Sequence, residues 1–156
     1  MKDEQGRRIP PGAAETAFQV AALPYRLDPD LQILLITSRE TRRWVLPKGW
    51  AMKDRTPAAA AAQEALEEAG LLGEIEETPV GSYRYQKGLK TGESVPCDVS
   101  VFPMRVTGQL DAWIEQHQRD FQWVSLEEAA GLVAEPDLGD LIRAFASHPG
   151  VRGSSS

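Results

Sequence analysis

Apolar positions in this chain fall into short runs, and the runs set the expected elements. Ala17 to Arg26 reads as a first strand, and Asp28-Pro29-Asp30 as the turn that ends it. Leu31 to Thr37 is an almost unbroken apolar run of strand length, the pattern of a strand covered on both faces. Trp44 to Leu46 is a shorter strand that feeds Pro47-Lys48-Gly49. The period then becomes helical. Thr56 is a suitable N-cap, Pro57 loses no hydrogen bond at the first helical position, and Gly70 suits a left-handed C-terminus. On a wheel of about 100° per residue, Ala58, Ala62, Ala65, Ala69 and Leu66 fall opposite Glu64, Glu67 and Glu68. This predicts a helix with a flat small-residue face laid on a sheet and a carboxylate face turned away from it.

Downstream, Gly73 to Gln86 reads as one or two strands, with Tyr83 and Tyr85 on one face and Arg84 on the other. Lys87 to Gly92 is a turn. Val95 to Val106 is a strand in which Pro103 blocks one ladder hydrogen bond, which predicts an edge or a bulge. Phe121 to Val124 is the last strand. Ser125 caps a helix from Leu126 to Leu132, with Glu128 at the capping-box position, and Pro136 to Ser147 is the final helix. Trp44 and Trp123 lie inside strand runs and are expected in the core, as is Cys97. The polar stretch 1–14, with Pro10-Pro11-Gly12, predicts a loose arm, and 151–156 a flexible tail. A single domain over 15–150 remains.

The three glutamates change the picture most. At i, i+3 and i+4 their Cβ atoms lie roughly 5–6 Å apart, and like charges at that spacing destabilise a helix. A glutamate cluster is by default a solvated surface. Here no Lys or Arg lies between Thr56 and Leu72 to balance it. A divalent cation supplies the missing charge, and hard oxygen ligands suit Mg2+ or Mn2+.

Composition narrows the class. The 156 residues are 42% hydrophobic and 26% charged, ordinary for one soluble domain. A net charge of −6 argues against a general nucleic-acid binder. One cysteine allows no intrachain disulfide and fits a reducing compartment, so a cytoplasmic location is expected. The first residues lack the apolar core of a signal peptide, and no apolar stretch approaches the roughly 20 residues that span a bilayer. Neither His117 nor His148 has a metal-ligand pattern around it.

Leu46-Pro47-Lys48-Gly49-Trp50 followed by Gln63-Glu64-Ala65-Leu66-Glu67-Glu68-Ala69-Gly70-Leu71 resembles the signature of the Nudix hydrolases, G-x5-E-x7-R-E-U-x-E-E-x-G-U with U aliphatic. Gly49, Glu64, Glu67, Glu68, Gly70 and Leu71 match, and Ala65 stands at the first U. Arg55 stands in place of the first glutamate and Gln63 in place of the arginine; the spacing is intact. Outside the box, Ile33 to Arg39 with Arg43 to Pro47, and Trp113-Ile114-Glu115 with Phe121-Gln122-Trp123-Val124, are similar to the diphosphoinositol polyphosphate and dinucleoside polyphosphate hydrolase branch. The likeness runs from about Ala17 to Phe145.

The resemblance implies an α/β fold, an α/β/α sandwich with a mixed β-sheet. It implies divalent-metal-dependent hydrolysis of a pyrophosphate bond in a nucleoside polyphosphate, a dinucleoside polyphosphate or an inositol pyrophosphate. The rival is a domain that keeps the fold and only binds a phosphorylated ligand. Glu64, Glu67 and Glu68 are the expected metal ligands, with a backbone carbonyl at Gly49. Glu64 or Glu67 is the expected proton acceptor; Glu93, Asp98 and Glu115 are candidates outside the box. Phosphates need cations. Arg39, Lys48, Arg84 and Lys87 are the expected contacts, with Arg42, Arg43 and Lys90 nearby in sequence and Arg39 first by resemblance. Trp50 either stacks on a base or packs over the loop. The departures at 55 and 63 read as a reciprocal charge swap, so Arg55 is expected to pair with a helix carboxylate in place of the missing arginine.

Overall fold

A computed structural model describes residues 16–152. The expected arm over 1–14 and the last four residues lie outside the described residues. Eight strands form one mixed sheet: β1 (Ala17–Arg26), β2 (Gln32–Thr37), β3 (Trp44–Val45), β4 (Lys48–Trp50), β5 (Leu71–Ile75), β6 (Gly81–Gly88), β7 (Ser94–Gln109) and β8 (Phe121–Ser125). The spine runs β3-β2-β1-β7-β5, with β4 on β1, β6 on β7 and β8 on β2. β1 and β7 are parallel; the other pairs are antiparallel.

Alternation along the strands divides the core into two layers. Val20, Ala22, Leu34, Ile36, Phe102 and Met104 pack under α1 (Pro57–Ala69). Ala21, Leu23, Tyr25, Ile33, Leu35, Val99 and Val101 face the opposite way, towards α2 (Leu126–Leu132) and α3 (Pro136–Ala144). Successive side chains of a strand point to opposite faces, so a strand covered by helices on both sides has no polar face. That accounts for the unbroken apolar run in β2. The architecture is the α/β/α sandwich that the resemblance implies.

Three local expectations are corrected. Pro103 is neither on an edge nor at a bulge: it pairs with Leu23 in the middle of the sheet. β6 covers β7 as far as Val101 and β5 starts at Met104, so Pro103 sits in the gap between them. Its carbonyl accepts from Glu76 N–H at 3.0 Å on that side. A residue's N and C=O share a side of the strand, so the missing N–H faces the gap and no ladder bond is lost. The final helix ends at Ala144, and Phe145–Ser147 continues as a 3-10 turn. Val151 and Arg152, assigned to the tail, belong to a short α4 (Pro149–Arg152).

Both ends of α1 and the start of α2 are as expected. Thr56 accepts from Ala59 N–H at 3.1 Å. The capping box joins Ser125 and Glu128 in both directions. Gly70 has φ 69° and donates to Leu66 O. A Cβ at Gly70 would lie 2.3 Å from the Trp113 ring. Gly70→Ala is therefore expected to cost about 1–3 kcal/mol, from the left-handed backbone and the overpacked ring together. Urea denaturation reads it, and an unchanged midpoint would contradict the geometry.

Candidate active site

The site is built where α1 crosses the β4 loop. Thirteen helical residues carry Glu64, Glu67 and Glu68 past Lys48-Gly49-Trp50, and the sheet edge fixes that loop: Val20 pairs with Gly49 and Ala21 with Lys48. Small residues permit the approach. Ala58, Ala61, Ala65 and Ala69 are buried against the sheet, whereas Ala62 and Leu66 are only half-buried. The buried face is thus rotated towards the glutamates, and Glu68 lies on it, 6% exposed. Glu68 follows Ala61 by seven residues, nearly two turns, so it shares the side of the helix that meets the sheet.

Glu64 and Glu68 form a close pair. They stand close enough for the Glu64 carboxyl to push the Glu68 pKa up, by hydrogen bonding and by charge. Burial raises the Glu68 carboxyl well above the ordinary range; Arg119 opposes that and the Glu64 bond adds to it. Lys48 N–H donates to Glu68 Oε1 at 3.3 Å. Gly49 packs directly against Glu64, for a Cβ there would stand 2.4 Å from its carboxyl carbon. Glu67 lies about 100° round the helix from Glu68. Its Oε2 accepts from Gln63 Nε2 at 2.6 Å. The expected trio does not close on one point: among the described residues no three His, Cys, Asp or Glu side chains are grouped to hold a metal ion. The pair itself suits a hard dication. Two neighbouring carboxylates, one of them buried, are hard oxygen donors that a divalent ion would fit.

Above the pair opens a cleft of about 550 Å3. Arg39, Arg43, Lys48, Lys87 and Arg119 line it, with Trp44, Trp50, Tyr83 and Tyr85 as aromatic walls. Lys48 is half-buried, its Nζ 5.0 Å from the Tyr85 ring centre, and burial lowers its pKa while Glu68 opposes the shift. Lys87 Nζ sits 6.0 Å from the Trp50 ring, and Trp50 also packs against the core. Trp44 and Trp123 are half-buried against the two core layers, and Cys97 is fully buried. Arg39 is held towards the cleft by Gln118 Oε1 at 2.9 Å, 4.0 Å from Glu115.

Other expected contacts lie elsewhere. Arg84 points off the cleft and binds Asp98 at 2.7 and 3.1 Å; that bond holds the Asp98 carboxyl below its usual range. The alternation in β6 that turns Tyr83 and Tyr85 inward turns Arg84 out. Asp98 is therefore occupied, and Glu93 sits exposed in the β6–β7 turn. Arg42 pairs with Asp120 at 2.7 Å. Arg55 is exposed and forms no ion pair with Glu64, Glu67 or Glu68, so it does not replace the box arginine.

Arg119 is the residue that sequence reasoning missed. It comes from the β7–β8 loop, is 12% exposed, and stands 3.8 Å from Glu68 and 2.8 Å from Glu115. Its one signal in the sequence is the Glu115–Arg119 spacing of i, i+4.

A model of the NUDIX domain matches residues 17–145. The chain belongs to the NUDIX family. This NUDIX chain is 33% identical over 105 residues to Nudix hydrolase 12, mitochondrial, of Arabidopsis thaliana, across 65% of this chain and 52% of that one. It is 27% identical over 114 residues to diphosphoinositol polyphosphate phosphohydrolase 3-beta of Bos taurus, across 71% and 65%. It thus spans about half to two thirds of the length of these relatives. A crystal structure of C. elegans Ap4A hydrolase in a binary complex has the same NUDIX fold, with a TM-score of 0.63, 21% identity, and coverage of 86% of this chain and 98% of the other.

Gly49→Ala separates site from fold. The clash falls on the free end of a flexible side chain, so Glu64 gives way and the backbone does not. A displacement of about 1 Å at a reacting centre can cost up to 100-fold, so a drop in rate of about 10- to 100-fold is expected. Tm is expected to stay within about 2 °C, read by thermal melting beside a hydrolysis assay. A large Tm loss with full activity would reverse that reading.

Proposed function

We propose that this chain hydrolyses a phosphoanhydride bond in a nucleoside polyphosphate, a dinucleoside polyphosphate or an inositol pyrophosphate, with Mg2+ or Mn2+ as cofactor. The Glu64–Glu68 pair at the floor of a cation-lined cleft carries this reading. The names of the relatives, a diphosphoinositol polyphosphate phosphohydrolase and an Ap4A hydrolase, support the substrate class.

The roles follow from position. Glu64 and Glu68 hold the ion beside Gly49. When bound, a divalent ion screens phosphate charge and acidifies water. Lys48, Lys87 and Arg39 bind the phosphate oxygens along the cleft, where an arginine fork can donate two parallel hydrogen bonds. Glu67 stands apart from the Glu64–Glu68 pair. It lines the cleft, and Gln63 orients its carboxylate. It is the group placed to accept the proton of the attacking water. Glu115 is engaged by Arg119 and serves less well. Trp50 and Tyr85 offer flat apolar surface to a base or a sugar ring.

The test is a substrate panel of nucleoside triphosphates, diadenosine polyphosphates and inositol pyrophosphates, with Mg2+ or Mn2+ and with chelator. Metal-dependent release of phosphate or a nucleotide from at least one class is expected. No turnover of any class, with ligand-induced thermal stabilisation retained, would replace this reading with that of a binding domain.

A further inference from the structure

We propose that Arg119 is the positioning residue of the site: a fixed cation, delivered from outside the helix, that sets where the Glu68 and Glu115 carboxylates stand. The inference rests on the metal-binding reading above.

Two hydrogen bonds and one ionic contact fix the guanidinium. Nε donates to Glu115 Oε1 at 2.8 Å, Nη1 donates to Thr37 O at 3.1 Å, and Nη2 faces Glu68 Oε1 at 3.8 Å. The last distance is too long for a hydrogen bond, so Arg119 acts on Glu68 through its charge. The side chain is 12% exposed, Glu115 17% and Glu68 6%, so water screens these interactions little.

The loop that carries Arg119 is fastened at both ends. At the end of α1, Leu110 N–H donates to Gly70 O at 2.8 Å, Glu115 N–H to Glu67 O at 3.0 Å, and Gln109 Nε2 to Ala69 O at 2.9 Å. At the end of β2, Thr37 N–H donates to Asp120 O at 3.0 Å and Asp120 N–H to Thr37 Oγ1 at 2.9 Å. The carbonyls left open where a helix stops are thus used to hold the loop. The loop that carries Arg119 and Glu115 is tied to the helix that carries Glu68.

Within α1, Gln63 is neutral and reaches Glu67, not Glu68. The helix supplies no positive charge of its own between Pro57 and Ala69. Arg119 supplies it from the loop.

The test measures Mn2+ affinity of folded protein by electron paramagnetic resonance, well below Tm and without substrate. Arg119→Gln is expected to weaken Mn2+ binding about 10- to 100-fold, the range for outer partners of a metal site. Arg119→Lys keeps the charge and loses the fork, so a smaller loss is expected. Unchanged affinity in Arg119→Gln, or an equal loss in Arg119→Lys, would overturn the proposal and leave Arg119 as a loop fastener. If Arg119→Gln does not fold, Arg119→Lys alone decides: a measurable loss is expected, and unchanged affinity overturns the proposal. Wild type that binds Mn2+ but turns over no substrate overturns the hydrolase reading and leaves this one standing on the affinities. Wild type that binds no Mn2+ overturns both.

Discussion

Glu68→Gln is expected to abolish most hydrolysis while making the metal-free protein more stable. The two effects come from one cause. Glu68 is 6% exposed and lies beside Glu64, and burial with that neighbour outweighs Arg119, so its negative charge is poorly accommodated without a metal ion. Outer partners of a metal site are each worth about 10- to 100-fold, so loss of a ligand itself should lower kcat/KM by at least about 100-fold. Glutamine has the shape of glutamic acid and no charge to bury. The folded-state pKa of Glu68 is raised above its unfolded value, so the folded protein holds that proton more tightly. Its contribution to stability is full below the ordinary carboxylate pKa and is lost as pH climbs through the raised value. The metal-free wild type should therefore lose Tm relative to Glu68→Gln as pH rises above the ordinary carboxylate range, while the two converge in acid. A gap of about 2–4 °C would correspond to about 1 kcal/mol in a chain of this size. Added Mn2+ should reverse the order, because only the wild type gains a counter-charge. Parallel metal-free curves would remove the electrostatic account of the pair; equal hydrolysis would remove Glu68 from the site.

The fold was legible in the sequence because its determinants are local. Thr56, Pro57 and Gly70 specify α1 within a few residues, Ser125 and Glu128 do the same for α2, and the apolar run of β2 announces burial on both faces. The glutamate helix and the Lys48-Gly49 loop were legible for the same reason. What failed depends on contacts between distant segments. Pro103 reads as an edge residue until the break between β5 and β6 is seen beside it. The wheel set the glutamates opposite the sheet, but the contact of Gly49 with Glu64 draws that edge of the helix inward, so Glu68 is buried and Glu67 is not. The charge swap at 55 and 63 invited a local answer in Arg55. The structure answers with Arg119, 51 positions beyond Glu68, because the loop that carries it folds back onto the end of α1. Arg84 was the opposite case: its alternation with Tyr83 and Tyr85 was read correctly, and the same alternation takes it out of the cleft.

Lys48→Met is expected to lower kcat/KM by about 100-fold while tightening Mn2+ binding. Lys48 touches both parts of the proposed chemistry: its N–H meets Glu68, and its ammonium group lies in the cleft beside the Tyr85 ring. Burial lowers its pKa, which shows that the charge is held at a desolvation cost. A preorganised charge in such a place acts strongly on a phosphate that gains charge during transfer; single donors of this kind are worth about 100- to 1000-fold. Methionine fills similar volume without charge, so the slot against Tyr85 stays packed. The same substitution removes a positive charge from beside the carboxylate pair. A dication gains about twice what a proton gains from that removal, since Coulomb energy scales with the product of charges. Metal should therefore compete better with a proton on the pair, and Mn2+ affinity should rise by a few-fold even as turnover falls. Arg119 differs because its bonds to Glu115 and to Thr37 O fix the loop as well as the charge, so its loss is expected to cost more in position than it returns in charge. Lys48→Arg keeps the charge on a longer, planar group and should restore only part of the rate, because the buried slot is shaped for an ammonium. Kinetics on the substrate found in the panel, with Mn2+ titration of the same preparations, read both signs. A variant that loses rate and metal together would mean that Lys48 holds Glu68 in place and does not bind phosphate.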